Sequence, residues 1–146
     1  MALEENRTTR DYLYGRLLAI AENIEQRALH LAKENRDSNA AKLMQRFSDH
    51  PYSTWRNIEI ALSPYKTRLR TRRPSVLLER DKLLDEVMGK FNREEFISDS
   101  RLSGEFLLGY HRQRADLWTA RASADDSSNE NGTTGEGEKV NDESSE

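Results

Sequence analysis

The spacing of apolar side chains restricts this chain to helices. Leu13, Leu17, Ile20, Ile24, Ala28 and Leu31 recur at steps of four, three, four, four and three, the interval that lines one side of an α-helix. The stripe predicts a helix of roughly 25 residues, about 40 Å long at the helical rise. Thr8 or Thr9 is placed to cap it, with Glu22, Glu25, Arg27 and Lys33 on its wet side. After a turn at residues 35–39, Asp37 or Ser38 can cap a short helix holding Leu43, Met44 and Phe47. A third helix is predicted from near Ser53, on Trp55, Ile58, Leu62, Tyr65 and Leu69. Pro64 interrupts it, lacking the amide proton the ladder needs, so a kink or a restart capped by Ser63 is expected. Leu77, Leu84, Val87, Met88 and Phe91 mark a fourth helix. Glu94 to Ile97 form a short helical turn, and Ser103 caps a last helix on Phe106, Leu107, Tyr110, Leu117 and Trp118. No segment alternates as a half-buried strand does. The expected fold is all-α, a compact bundle of about four to five helices, of a length suited to one modest core.

Charge divides the chain where the apolar periodicity stops. Residues 1–122 carry 22 Lys and Arg against 18 Asp and Glu, while residues 123–146 carry one Lys against eight acids. The overall net charge of −3 thus conceals a body of +4 (22 minus 18) and a tail of −7 (1 minus 8). In the tail Val140 is the one sizeable apolar side chain, too little to repay the entropy of ordering. The sequence therefore predicts a helical domain over 1–122 and a disordered acidic tail over 123–146. Seventeen of the body's 22 cations are Arg, whose planar fork pairs two-pronged with phosphate and stacks on flat rings. A solvated mixed-charge helical surface accounts for the same composition.

Catalytic patterns are missing. No Cys is present, which removes disulfides, thiolate metal sites and cysteine nucleophiles. His30, His50 and His111 lie far apart in sequence, and no acid pair beside a His has metal-site spacing. No glycine loop cradles phosphate and no nucleophile elbow is found. The expectation is a protein without enzymatic activity, cofactor or metal. No apolar stretch approaches the roughly 18 residues a membrane span requires, and the polar N-terminus points to a cytoplasmic protein without membrane contact.

The densest feature is the run Lys66, Thr67, Arg68, Leu69, Arg70, Thr71, Arg72, Arg73, with five cations in eight residues and no acid. In a helix Lys66, Arg70 and Arg73 share one face and Arg68 and Arg72 form the adjacent row. Such a face can neutralise backbone phosphates irrespective of sequence. Equally, cations at a helix C-terminus complement its dipole. Arg112, Arg114 and Arg121 beside Tyr110 and Trp118 form a second candidate cluster, in which aromatics and Arg can stack bases. Those aromatics also fit the apolar stripe of the last helix, and core packing explains them as well.

Three long stretches carry a resemblance: residues 11–26 (DYLYGRLLAIAENIEQ), 39–70 (NAAKLMQRFSDHPYSTWRNIEIALSPYKTRLR) and 102–118 (LSGEFLLGYHRQRADLW). Together they resemble the C-terminal region of the large subunit of type I-C CRISPR Cascade, a region that also exists as a separate small subunit. With Met1 immediately before the matching stretch, the chain looks like that free small subunit. The resemblance implies a noncatalytic helical subunit along the belly of an RNA-guided complex. Its implied partners are the backbone and large subunits, other copies of itself, the guide RNA–target DNA heteroduplex and the displaced strand. Base pairing then supplies sequence discrimination, and the protein contacts phosphates. The family transfers no catalytic residue and no short binding motif. The candidate contacts Lys66, Arg68, Arg70, Arg72, Arg73, Arg112 and Arg114 therefore rest on charge and spacing alone. The alternative is a helical adaptor acting only through protein contacts.

Overall fold

A computed structural model describes the backbone of residues 3–4, 6–34 and 38–131, and side chains as far as residue 118. Seven helices and no strand are found among these residues, the all-α fold that the periodicity predicts. They are α1 (Arg10–Leu31), α2 (Asn39–Lys42), α3 (Met44–Asp49), α4 (Pro51–Arg72), α5 (Pro74–Met88), α6 (Arg93–Ile97) and α7 (Glu105–Asn131). The four long helices are the four long stripes of the sequence. The expected second helix is two short ones that meet at Leu43, and α6 is the expected turn before the last helix. The turn residues 35–37 lie outside the described residues.

The helix α1 is the centre of the bundle. From Tyr12 to Glu25 every side chain is buried, so the helix is enclosed on all sides where the stripe predicts one apolar face. This overturns the placement of Glu22 and Glu25 on a wet side: they are 5% and 2% exposed. Buried carboxylates persist only with partners, and both have them. Glu25 accepts the amides of Asn39 and Ala40 at 2.6 and 3.2 Å, satisfying donors at the start of α2. Glu22 accepts the Tyr110 hydroxyl at 2.7 Å and faces Arg114 at 3.4 Å. Two further polar pairs are buried against α1, Arg16 Nε to Gln113 Oε1 and Arg80 Nε to Asn23 Oδ1, each at 2.7 Å.

The helix α4 runs unbroken through Pro64, with no restart at Ser63. Pro64 is exposed, so the one ladder bond it deletes leaves a carbonyl near solvent, where water can satisfy it. The inner face of α4 buries Trp55, Ile58, Leu62 and Leu69. Its N-terminus begins at Pro51, where a proline's missing amide costs nothing. At this end of the bundle Tyr14 packs with Phe47, Phe91 and Phe96, ring centroids 5.0 to 5.7 Å apart, and donates its hydroxyl to the Phe96 carbonyl.

The chain divides into two compact units, Met1–Ala115 and Asp116–Glu146, and the division falls inside α7. In the first unit α7 buries Phe106 and Tyr110, while Leu107, expected on the apolar face, is exposed. In the second unit the backbone stays helical to Asn131, past the compositional break at Ala122. Alanines at 120, 122 and 124 favour that continuation. The rest of the expected tail, residues 132–146, lies outside the described residues.

Candidate nucleic-acid interface

The basic run occupies the last two turns of α4 and the corner into α5. Leu69 anchors it, fully buried, and Thr67 and Thr71 turn their hydroxyls back onto the carbonyls of Ser63 and Thr67, both at 3.1 Å. Arg73 lies between the helices at φ −144° and ψ 65°, closing α4 with its amide on the Leu69 carbonyl at 2.6 Å. Pro74 then opens α5, since its fixed φ suits a first helical position.

The five cations of the run separate into two groups. Lys66 is held by Asp81 of α5 at 3.0 Å. Arg68 donates to the Ala28 carbonyl of α1 at 3.1 Å and faces Glu34 at 3.7 Å. It therefore complements a helix C-terminus, as the dipole argument requires, but that of α1 and not of its own helix. Arg70, Arg72 and Arg73 are exposed, and among the described residues their side chains have no acidic partner. Three guanidiniums with free donors thus stand together at one corner.

A further exposed cation follows the helix end to which Arg68 is tied. Lys33 is exposed just past the end of α1, the end to which Arg68 is tied. Its φ of 59° places it in the left-handed conformation that closes a helix, with its amide on the His30 carbonyl and that of Glu34 on the Leu29 carbonyl, both 3.0 Å. Only the tertiary contact through Arg68 brings it to this end of the bundle, and no local spacing announces that.

Arg112 and Arg114 are differently situated. Arg112 forms an ion pair with Glu4, and Arg114 sits 3.4 Å from the buried Glu22. The Tyr110 ring is buried, and burial together with the hydrogen bond to Glu22 pushes its hydroxyl well above the usual phenol range. It remains a protonated donor to Glu22. The ring is part of the core, the packing reading the apolar stripe offered.

His30, His50 and His111 are all exposed. Among the described residues no group of three His, Cys, Asp or Glu is arranged to hold a metal, and no helix is long and apolar enough to cross a membrane. The chemistry available at the corner is the pairing of guanidinium with an anion.

Comparison with curated proteins finds no match. A model of the family described as CRISPR-associated protein (Cas_Csd1) matches residues 1–118. That span takes in the core helices, the basic run and Arg112 and Arg114, and the chain belongs to this CRISPR-associated family.

Proposed function

We propose that this chain is the noncatalytic small subunit of a type I-C Cascade, supporting the opened target DNA through phosphate contacts made at the α4–α5 corner. The observation that carries this reading is the set of three exposed guanidiniums, Arg70, Arg72 and Arg73, without acidic partners among the described residues, in a chain of a CRISPR-associated family. Exchange of a DNA duplex for a guide–target heteroduplex is nearly balanced in free energy, so modest backbone contacts can tip it. A body charge of +4, from 22 cations and 18 acids, suits such a helper: weak alone, effective when a scaffold raises its local concentration. No step of this role requires a nucleophile, a metal or a cofactor. Partners are the backbone and large subunits, further copies of the chain, the heteroduplex and the displaced strand.

The test is reconstitution of the complex with and without this chain, reading target-strand opening. Opening should fall when the chain is omitted. Undiminished opening in its absence would remove the proposed role.

A second reading has its own support. Ile60 on α4 and Leu78 on α5 are 74% and 59% exposed, which suits an adaptor that acts through protein contacts alone. In that case charge reversal at the corner disrupts assembly, and added DNA makes no difference.

A further inference from the structure

The N-terminal segment preceding α1 is fastened by its charges. Glu4 takes the Arg7 Nε at 2.9 Å on one carboxylate oxygen and pairs with Arg112 through the other. Arg7 also reaches Glu105 at 2.8 Å, and Thr9 donates to the other oxygen of Glu105 at 2.9 Å. The backbone amide of Glu4 donates to the Tyr12 hydroxyl at 3.1 Å, and the Arg7 guanidinium lies 5.3 Å from the centre of the Tyr12 ring.

Arg112 is poorly served in this arrangement. A guanidinium has five donors, yet among the described residues Glu4 is its one ion-pair partner, and its Nε and Nη1 are buried without a hydrogen-bond partner. Two guanidiniums thus converge on the two oxygens of one carboxylate, each through a single nitrogen, and planar forks of this kind also pair with phosphate. Glu4 itself is 40% exposed at its side chain, so solvent and solutes reach the carboxylate that fills the site.

We infer that Arg7 and Arg112 form a latent site for a phosphodiester, closed in this state by the Glu4 carboxylate. The inference rests on the phosphate-contact reading above and extends it to the face where α1 meets α7. Rotation of the Glu4 side chain out of the site exchanges an internal carboxylate for a backbone phosphate, while Arg7 stays tied to Glu105 at 2.8 Å. It also supplies an acceptor for the stranded Arg112 Nε. The site is therefore closed when the chain is free and opens where phosphates are concentrated, because a single carboxylate in contact with solvent is displaced by mass action.

The test uses the full chain and a labelled oligothymidine strand at low ionic strength, followed by anisotropy. Glu4→Gln keeps the shape and removes the charge. It should tighten binding several-fold and steepen the salt slope by roughly one to two, since one or two cations become available. Adding Arg112→Gln to that variant should abolish the gain. If the wild-type chain binds and Glu4→Gln binds no better, or if the gain survives Arg112→Gln, the latent site is wrong while the corner reading stands. If neither chain binds, both fall. Glu4→Asp, which keeps the charge, guards against a variant that merely loosens the fold: it should bind as the wild type does, and a gain equal to that of Glu4→Gln contradicts the latch.

Discussion

Acidic side chains in this protein act at helix starts far from them in sequence. Asp99 accepts the Ser53 amide at 3.1 Å and the Ser53 hydroxyl at 2.7 Å, capping α4 from 46 residues away. His50, the residue in the capping position, makes no side-chain cap of its own. Asp11 receives the Ser103 amide at 2.7 Å just ahead of α7, and Glu25 serves α2. Partial burial raises the pKa of Asp99, but the Ser53 hydrogen bonds and nearby His50 outweigh it, and its carboxyl titrates below its usual 3.8. For a depressed folded pKa the stabilisation is complete above the unfolded value and is lost as pH falls through the folded one. Stability should therefore decline below about pH 4, and Asp99→Asn should flatten that decline, as thermal melts across the acid range will show. A wild-type decline that Asp99→Asn leaves unaltered would contradict the cap. None of this was legible in the sequence. A carboxylate in a helical stripe has the same local pattern whether it meets water or the start of another helix, and the pairing residues are 14, 46 and 92 positions apart.

At the scale of elements the stripes of α1, α4, α5 and α7 were readable because each buries large apolar side chains at helical steps. The closeness of α1 to α7 was not. Gly15 and Gly109 face each other's helices so tightly that a Cβ on Gly15 would overlap the Phe106 carbonyl oxygen, and one on Gly109 that of Tyr12. A helical glycine costs about 1 kcal/mol relative to alanine, and here it permits backbones to touch. Gly109→Ala should lower stability by about 1–3 kcal/mol, the range for overpacking a tight contact, where an open helical position would gain from the same change. Denaturant melts measure this directly. A neutral or stabilising result would mean the two helices do not pack backbone to backbone. Pro64 teaches the opposite lesson about elements: its local rule predicts a kink or a restart, but α4 continues through it without restarting, with Leu62 and Leu69 buried on either side.

For the whole molecule the sequence located the basic run but not its division. Spacing alone makes Lys66, Arg68, Arg70, Arg72 and Arg73 equivalent. The packing of α4 on α1 and α5 gives Lys66 to Asp81 and Arg68 to the end of α1, because the inner side of a helix must neutralise what it partly buries. Three cations remain for phosphate. Similarly, Arg112 stood out beside Tyr110 in sequence, while the glutamate that holds it lies 108 positions earlier, at Glu4. Within the run, two of the five cations are thus held inside the fold, and what reaches solvent at the corner is a small, concentrated remainder.

The salt dependence of single-strand binding by the full chain tests that remainder most directly. Three phosphate contacts, at about 0.7 each, predict a slope of log affinity against log salt near −2, whereas all five cations of the run would give about −3.5. Arg70→Glu, Arg72→Glu and Arg73→Glu together should bring the slope close to zero in a protein that still melts cooperatively. A slope that survives the triple reversal would place the phosphate contacts elsewhere on the molecule and contradict the corner as the interface.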